Sequence, residues 1–285
     1  MSSYTKGLLL ALSGVFIMSF EAPLIKLSKL PVSSIGFYFG LTIFLTTQIL
    51  LLLNGMENYK RAFKVEFKGV LLSGIFMGVG NYCFISAVSY AGIANTVLIL
   101  ASAPIVSALI ALWLLNSPTP KEIYIAAVVV FVGIYIIFSN QLGSLNLKGN
   151  LFAVVALFLM SGLFIILTKY QKANRVAFVS IGGLIIMLIS LPSIDLNVNF
   201  SGIFWILIMG VIVTPFSRIL IGKGTYFLIP AEMGLLMILE TVLAPFWGWW
   251  WLNEVPTSST AIGGGVILLA IFWNAWTQLK KKNHY

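Results

Sequence analysis

Histidine, cysteine and acidic side chains are almost missing from this chain: one His, one Cys and 8 Asp plus Glu in 285 residues. The single cysteine, Cys83, excludes an intrachain disulfide and any thiolate metal cluster. The single histidine, His284, is the penultimate residue. Zinc, haem and Ser-His-Asp chemistry therefore lack their parts, and no cofactor is expected. No Gly-x-x-x-x-Gly-Lys-Ser/Thr stretch is present to cradle the phosphates of ATP. Charge as a whole is scarce, at 9% of residues against about 25% in soluble domains.

What fills the chain instead is apolar. Hydrophobic residues make up 60%, and mean hydropathy is +1.03. A soluble fold of this size could not hide so much apolar surface, so lipid is the solvent for most side chains. The net charge of +9 would suit nucleic acid. The basic residues lie between apolar runs, however, as in membrane proteins, and no nucleic-acid partner is expected. Residues 1–20 lack a small-residue cleavage site and their apolar pattern runs on, so they read as a retained first span.

A membrane helix needs about 20 mostly apolar residues. Ten candidate spans meet this, at 7–27, 32–53, 69–90, 94–115, 121–138, 149–168, 176–192, 202–220, 227–252 and 261–279. The expected fold class is an all-α membrane protein of ten transmembrane helices. With a cytoplasmic N-terminus, only Lys26, Lys29 and Lys148 of the 17 Lys and Arg fall outside. That asymmetry puts both termini in the cytoplasm, the arrangement of a bacterial inner-membrane protein. The closing "KKKNHY" then sits beside anionic lipid as a topology signal.

The chain echoes itself. "KGLLLALSGVFIMS" from Lys6 and "KGNLFAVVALFLMS" from Lys148 share their KG and MS pairs, and "WLLNSPTP" (113–120) is echoed by "WWLNEVPT" (250–257). Each match opens a five-span half or closes the fourth span of one. The expected domains are thus 1–142 and 143–285, helices 1–5 and 6–10. Five is odd, so the halves enter from opposite sides, as Lys6 and Lys148 do. Such inverted-topology repeats let two bundles rock about a central site near the midplane.

These residues carry a family resemblance. "MSFEAPLIKL" (18–27), "ANTVLILASAPIVSALIALWLLNSPTP" (94–120) and "ILETVLAPFWGWWWLNEVPTSSTAIGGGVIL" (238–268) resemble the first, fourth and last two helices of EamA-type members of the drug/metabolite transporter superfamily. The LNE-x-P turn and the Gly run arriving together are the most specific part. The first repeat departs from the second by placing Ser117 where the second has Glu254. The resemblance implies ten helices in two five-helix repeats and movement of small metabolites, often outward, without naming a substrate.

Ionisable residues at depth are the candidate functional groups. Glu240 is close to the midpoint of the ninth span, where a charge costs at least ~2.5–3.5 kcal/mol on insertion scales. On the same helical face lie Met237, Ala244, Trp247 and Trp251. A carboxylate beside an indole suits an ammonium group, although the Trp cluster also reads as an interfacial belt. Glu21 is followed by Pro23, which removes a backbone donor and invites a kink. It is either an outer gate acid or a partner of Lys26. A titrating Glu at depth is also a candidate to couple a proton. Asn81, Tyr82 and Ser102 are candidate cavity hydrogen-bonders, with small-residue packing the plainer reading for Ser102. Arg218 and Glu232 flank the connection between helices eight and nine. They are expected as an inner-gate pair or as plain topology charges.

Small residues in the fourth span and Gly263, Gly264 and Gly265 in the tenth favour close packing of those two helices, inside one molecule or across a homodimer. No Lys or Arg is expected at mid-membrane depth. The function expected is therefore a secondary transporter, not an enzyme, for a cationic or zwitterionic small-molecule substrate such as an amino acid, an amine or a drug, with efflux by alternating access. An integral-membrane enzyme would need paired acids at one depth, for which Glu21 and Glu240 are the sole offer, and a structural scaffold is the other alternative.

Overall fold

Every described element is helical, as a backbone in lipid must be when no water satisfies its peptide groups. The structure, a computed structural model, describes residues 3–115, 121–139, 145–196, 198–224, 227 and 230–282. In chain order the helices are α1 (Ser3–Met18), α2 (Glu21–Ser28), α3 (Val32–Leu53), α4 (Met56–Lys64), α5 (Phe67–Ala91), α6 (Ile93–Leu100) and α7 (Ala103–Leu115). Then come α8 (Lys121–Ser139), α9 (Leu145–Lys169), α10 (Arg175–Ser190), α11 (Phe200–Ile208), α12 (Thr214–Gly224), α13 (Pro230–Leu252) and α14 (Ser258–Lys282). Seven segments are long and apolar enough to cross a membrane, and Glu122–Phe138 and Ser258–Asn274 are shorter apolar helices. The chain is an all-helical integral membrane protein.

Prolines divide three of the expected spans. α1 stops at Met18 and α2 begins at Glu21, because Pro23 has no N–H for the Ser19 carbonyl one turn back. α6 and α7 part at Ala101 and Ser102, one turn before Pro104. In the eighth span a π-helical turn, Met209–Val213, joins α11 to α12 just ahead of Pro215. One element went unforeseen: α4 is a charged, amphipathic helix where the sequence suggested only a loop. Its "MENYKRAFK" carries too much charge to register as an apolar run.

The most extensive helix contacts are α5 with α9, α3 with α10, α8 with α14, α5 with α10 and α1 with α12. Backbones come very close where glycines allow it. A Cβ on Gly40 of α3 would lie 2.5 Å from the Met187 amide nitrogen of α10. The expected fourth-to-tenth packing is corrected in part. Gly263 of α14 meets Gly133 of α8, the fifth span, and only Gly264 turns to Leu98 of α6. Adjacent glycines on a helix point about 100° apart, so they serve different neighbours.

Candidate functional site

The breaks in the first and fourth spans lie around one cavity of about 150 Å³. Its wall includes Met18 and Glu21 from either side of the first break, Leu100, Ala101 and Ala103 around the second, and Asn81, Phe84, Val97 and Met160. Arg218, Met237, Glu240 and Thr241 complete it. The lining is apolar except for two acids, one guanidinium, one amide and one hydroxyl. Pro245, inside α13, has no N–H to give the Thr241 carbonyl, so the turn carrying Glu240 is itself loosened.

Glu21 is buried, with 6% of its surface exposed. Thr214 Oγ1 donates to Glu21 Oε1 at 2.9 Å, and Arg218 Nη2 faces Glu21 Oε2 at 3.6 Å. This overturns the expectation that no Lys or Arg sits at cavity depth, since Arg218 lines the cavity. Counting residues along the eighth span places the Arg218 Cα well toward one end. Side chains lean toward the N-terminus of their helix, however, and α12 runs antiparallel to α1 and α2. Arg218 and Glu21 therefore lean toward each other. The side chain of Glu232 lies outside the described residues. Glu21 does not partner Lys26.

Glu240 lines the same cavity, half-buried, with no hydrogen bond or ion pair among the described residues. A carboxyl so placed must be matched by a proton, by water or by a cationic group that enters. Asn81, 5% exposed, also faces the cavity. The other sequence candidates stand elsewhere. Trp247 is not on the cavity wall: its Nε1–H donates to Ser19 Oγ at 3.0 Å and its ring stacks on Phe20 at 5.0 Å. Tyr82 lies over Gly36 of α3. Ser102 is fully buried and its hydroxyl has no hydrogen-bond partner. Trp251 stacks on Phe20 and Trp247, so this part of the Trp cluster wraps the break in the first span.

Farther along α2 a second polar centre closes the end of the bundle. Asn253, left-handed at φ 53°, ends α13 and turns Glu254 back toward the start of α6. There Glu254 Oε1 accepts from the Ile93 N–H at 2.7 Å, and its Oε2 lies 3.9 Å from Lys26 Nζ. Gly92, at φ +91°, leaves room for that oxygen; a Cβ would collide with it. A vestibule of about 470 Å³ surrounds this contact, lined by Lys26, Tyr90, Asn95, Asn146, Glu254 and Thr257 among others. Ile93, Val97 and Ala244 belong to one buried apolar cluster, and Val97 also lines the cavity. The sequence marked Glu254 as a motif residue but could not show its partners, which are far away in the chain.

The described apolar helices are thus interrupted around a charged cavity. Residues 5–139 match the model of the EamA-like transporter family. The chain is 25% identical over 219 residues to the "Uncharacterized transporter YdfC" of Bacillus subtilis (strain 168), covering 74% of this chain and 69% of that protein. A solved crystal structure, described only as of a protein, superposes over 99% of each chain with a TM-score of 0.64 at 15% identity. At that identity the likeness speaks for the fold alone.

Proposed function

We propose that the protein is a secondary exporter of small zwitterionic or cationic organic solutes, working by alternating access between two inverted five-helix repeats, 1–142 and 143–285. The ten helices of this reading are the seven long spans, the two shorter apolar helices and α13. The helix pairings support it. If the halves are exchanged, the pairing of α5 with α9 becomes that of α12 with α1, while α3 with α10, α8 with α14 and α6 with α13 map onto themselves. The lysine and arginine asymmetry supports cytoplasmic termini in a bacterial inner membrane.

The observation that carries the proposal is Glu240, an acid with no hydrogen bond or ion pair among the described residues, facing a cavity beside the Glu21–Arg218 pair. Glu240 is the receptor for an ammonium group or a proton. Arg218, presenting a forked donor set, is the receptor for a carboxylate. The pair shifts the sequence-based preference from cations toward zwitterions such as amino acids. Met18, Met160 and Met237 supply flexible walls that accept more than one side chain. A volume of about 150 Å³ holds several waters or a small amino acid, so larger solutes require the cavity to open.

The test is counterflow in proteoliposomes with labelled amino acids, amines and sugars. The expected result is saturable movement of an amino acid or amine, lost in Glu240→Gln while the variant stays folded. Transport of sugars alone, or unchanged rates in Glu240→Gln, would refute this assignment.

A further inference from the structure

The parts of the contact between Lys26, Glu254 and the Ile93 N–H are not repeated at the equivalent positions of the sequence echo. The offset that aligns Trp113 with Trp250 places Ile93 opposite Pro230 and Glu254 opposite Ser117. The offset that aligns Lys6 with Lys148 places Lys26 opposite Thr168. All three parts of the contact are thus replaced. The acid becomes a serine, the cation becomes a threonine, and the donating amide becomes a proline nitrogen that carries no hydrogen.

From this we infer that the Lys26–Glu254–Ile93 contact is a one-sided latch: it holds the transporter closed at the Lys26 end, so that the resting state faces the other side. The inference rests on the inverted-repeat transport reading above.

The latch spans the elements that must separate. Lys26 closes α2 of the first repeat, Ile93 opens α6, and Glu254 sits at the end of α13 of the second repeat. Opening this end requires α13 to leave α6, which breaks a charged bond to a helix N-terminus and an ion pair together. Gly248 of α13 seats Ile93 directly, and Ala244 is 1% exposed in the same seam. The apolar seam and the polar latch therefore part in one motion. Symmetric bundles without a latch would populate both closures about equally. A charged contact at one end alone tilts that balance, and for an exporter it guards the site against solute from outside. The carboxylate has two duties, so its substitutions should be graded. Glu254→Gln keeps an acceptor for the Ile93 amide but loses Lys26, whereas Glu254→Ala loses both.

The experiment reads conformation rather than transport. Thr241, on the cavity wall, is changed to Cys in a Cys83→Ser background. The full chain is reconstituted, and a membrane-impermeant maleimide is applied from the Lys26 side or from the other side. The parent is expected to react slowly from the Lys26 side. Glu254→Ala should raise that rate about tenfold, the scale of one charged cap plus one partly screened pair, with Glu254→Gln between and Lys26→Arg at the parental rate.

Labelling from the other side that proceeds normally, with an unchanged Lys26-side rate in every variant, overturns the latch and leaves the transport reading standing. No labelling from either side in any variant overturns both. Lys26→Arg preserves charge and size class, so its parental behaviour separates loss of the latch from loss of fold.

Discussion

Replacing Arg218 by Met tests the physics of the cavity directly. The substitution keeps most of the side-chain volume and removes the charge facing Glu21. Glu21 would keep the Thr214 hydrogen bond at 2.9 Å but lose its cation, at a site where 8% of its side chain is exposed. Removing one partner of a buried pair costs about 3–5 kcal/mol, chiefly because the other charge is stranded. Arg218 is 36% exposed toward the cavity and the contact is single-pronged at 3.6 Å. Solvent screening lowers the expected cost to about 2–3 kcal/mol. Glu21→Gln in the same background removes the stranded charge while leaving an oxygen for Thr214. It should recover most of that loss, so the double variant is more stable than Arg218→Met alone. Equilibrium unfolding in detergent, run as a double-mutant cycle, measures this. A cost under about 1 kcal/mol for Arg218→Met, or no recovery in the double variant, would show that the two groups are not coupled as described.

Four further outcomes are expected. Glu240→Gln should unfold within about 0.5 kcal/mol of the parent, since Glu240 makes no hydrogen bond among the described residues; the same detergent assay checks this, and a large destabilisation would assign Glu240 a structural role. Gly40→Ala should cost about 1–3 kcal/mol, because the new methyl meets the Met187 backbone rather than a yielding side chain; an unchanged midpoint would contradict the α3–α10 approach. Asn95→Ala should cost about 1–3 kcal/mol by removing its bonds to Asn150 and Thr260, and thermal melting would show it. Trp247→Phe should cost about 1 kcal/mol through the bond to Ser19 while keeping its aromatic packing; tryptophan fluorescence together with unfolding would separate the two effects.

The membrane helices were legible because their signal is local: long apolar runs at fixed length, with prolines marking the breaks at 19–20 and 101–102. Glu21, Asn81 and Glu240 were legible as ionisable or polar groups at depth, for the same reason. That they share a cavity was not. Tyr82 and Trp247 looked like cavity residues by proximity in sequence, yet each turns to a neighbouring helix instead. Arg218 was misplaced because residue counting locates a Cα, and a long side chain reaches several ångströms from it toward its helix N-terminus. The amphipathic α4 was invisible to a search for apolar runs.

Composition and spacing alone determined that this chain lives in lipid, that its elements are helices, and that its two halves echo one another, since these follow from what water and hydrocarbon tolerate along a single segment. Only the tertiary structure decided which acid is paired and which is left open, and that Lys26 reaches Glu254 instead of Glu21. Those outcomes depend on how antiparallel helices from opposite ends of the chain face one another, and no local pattern encodes that.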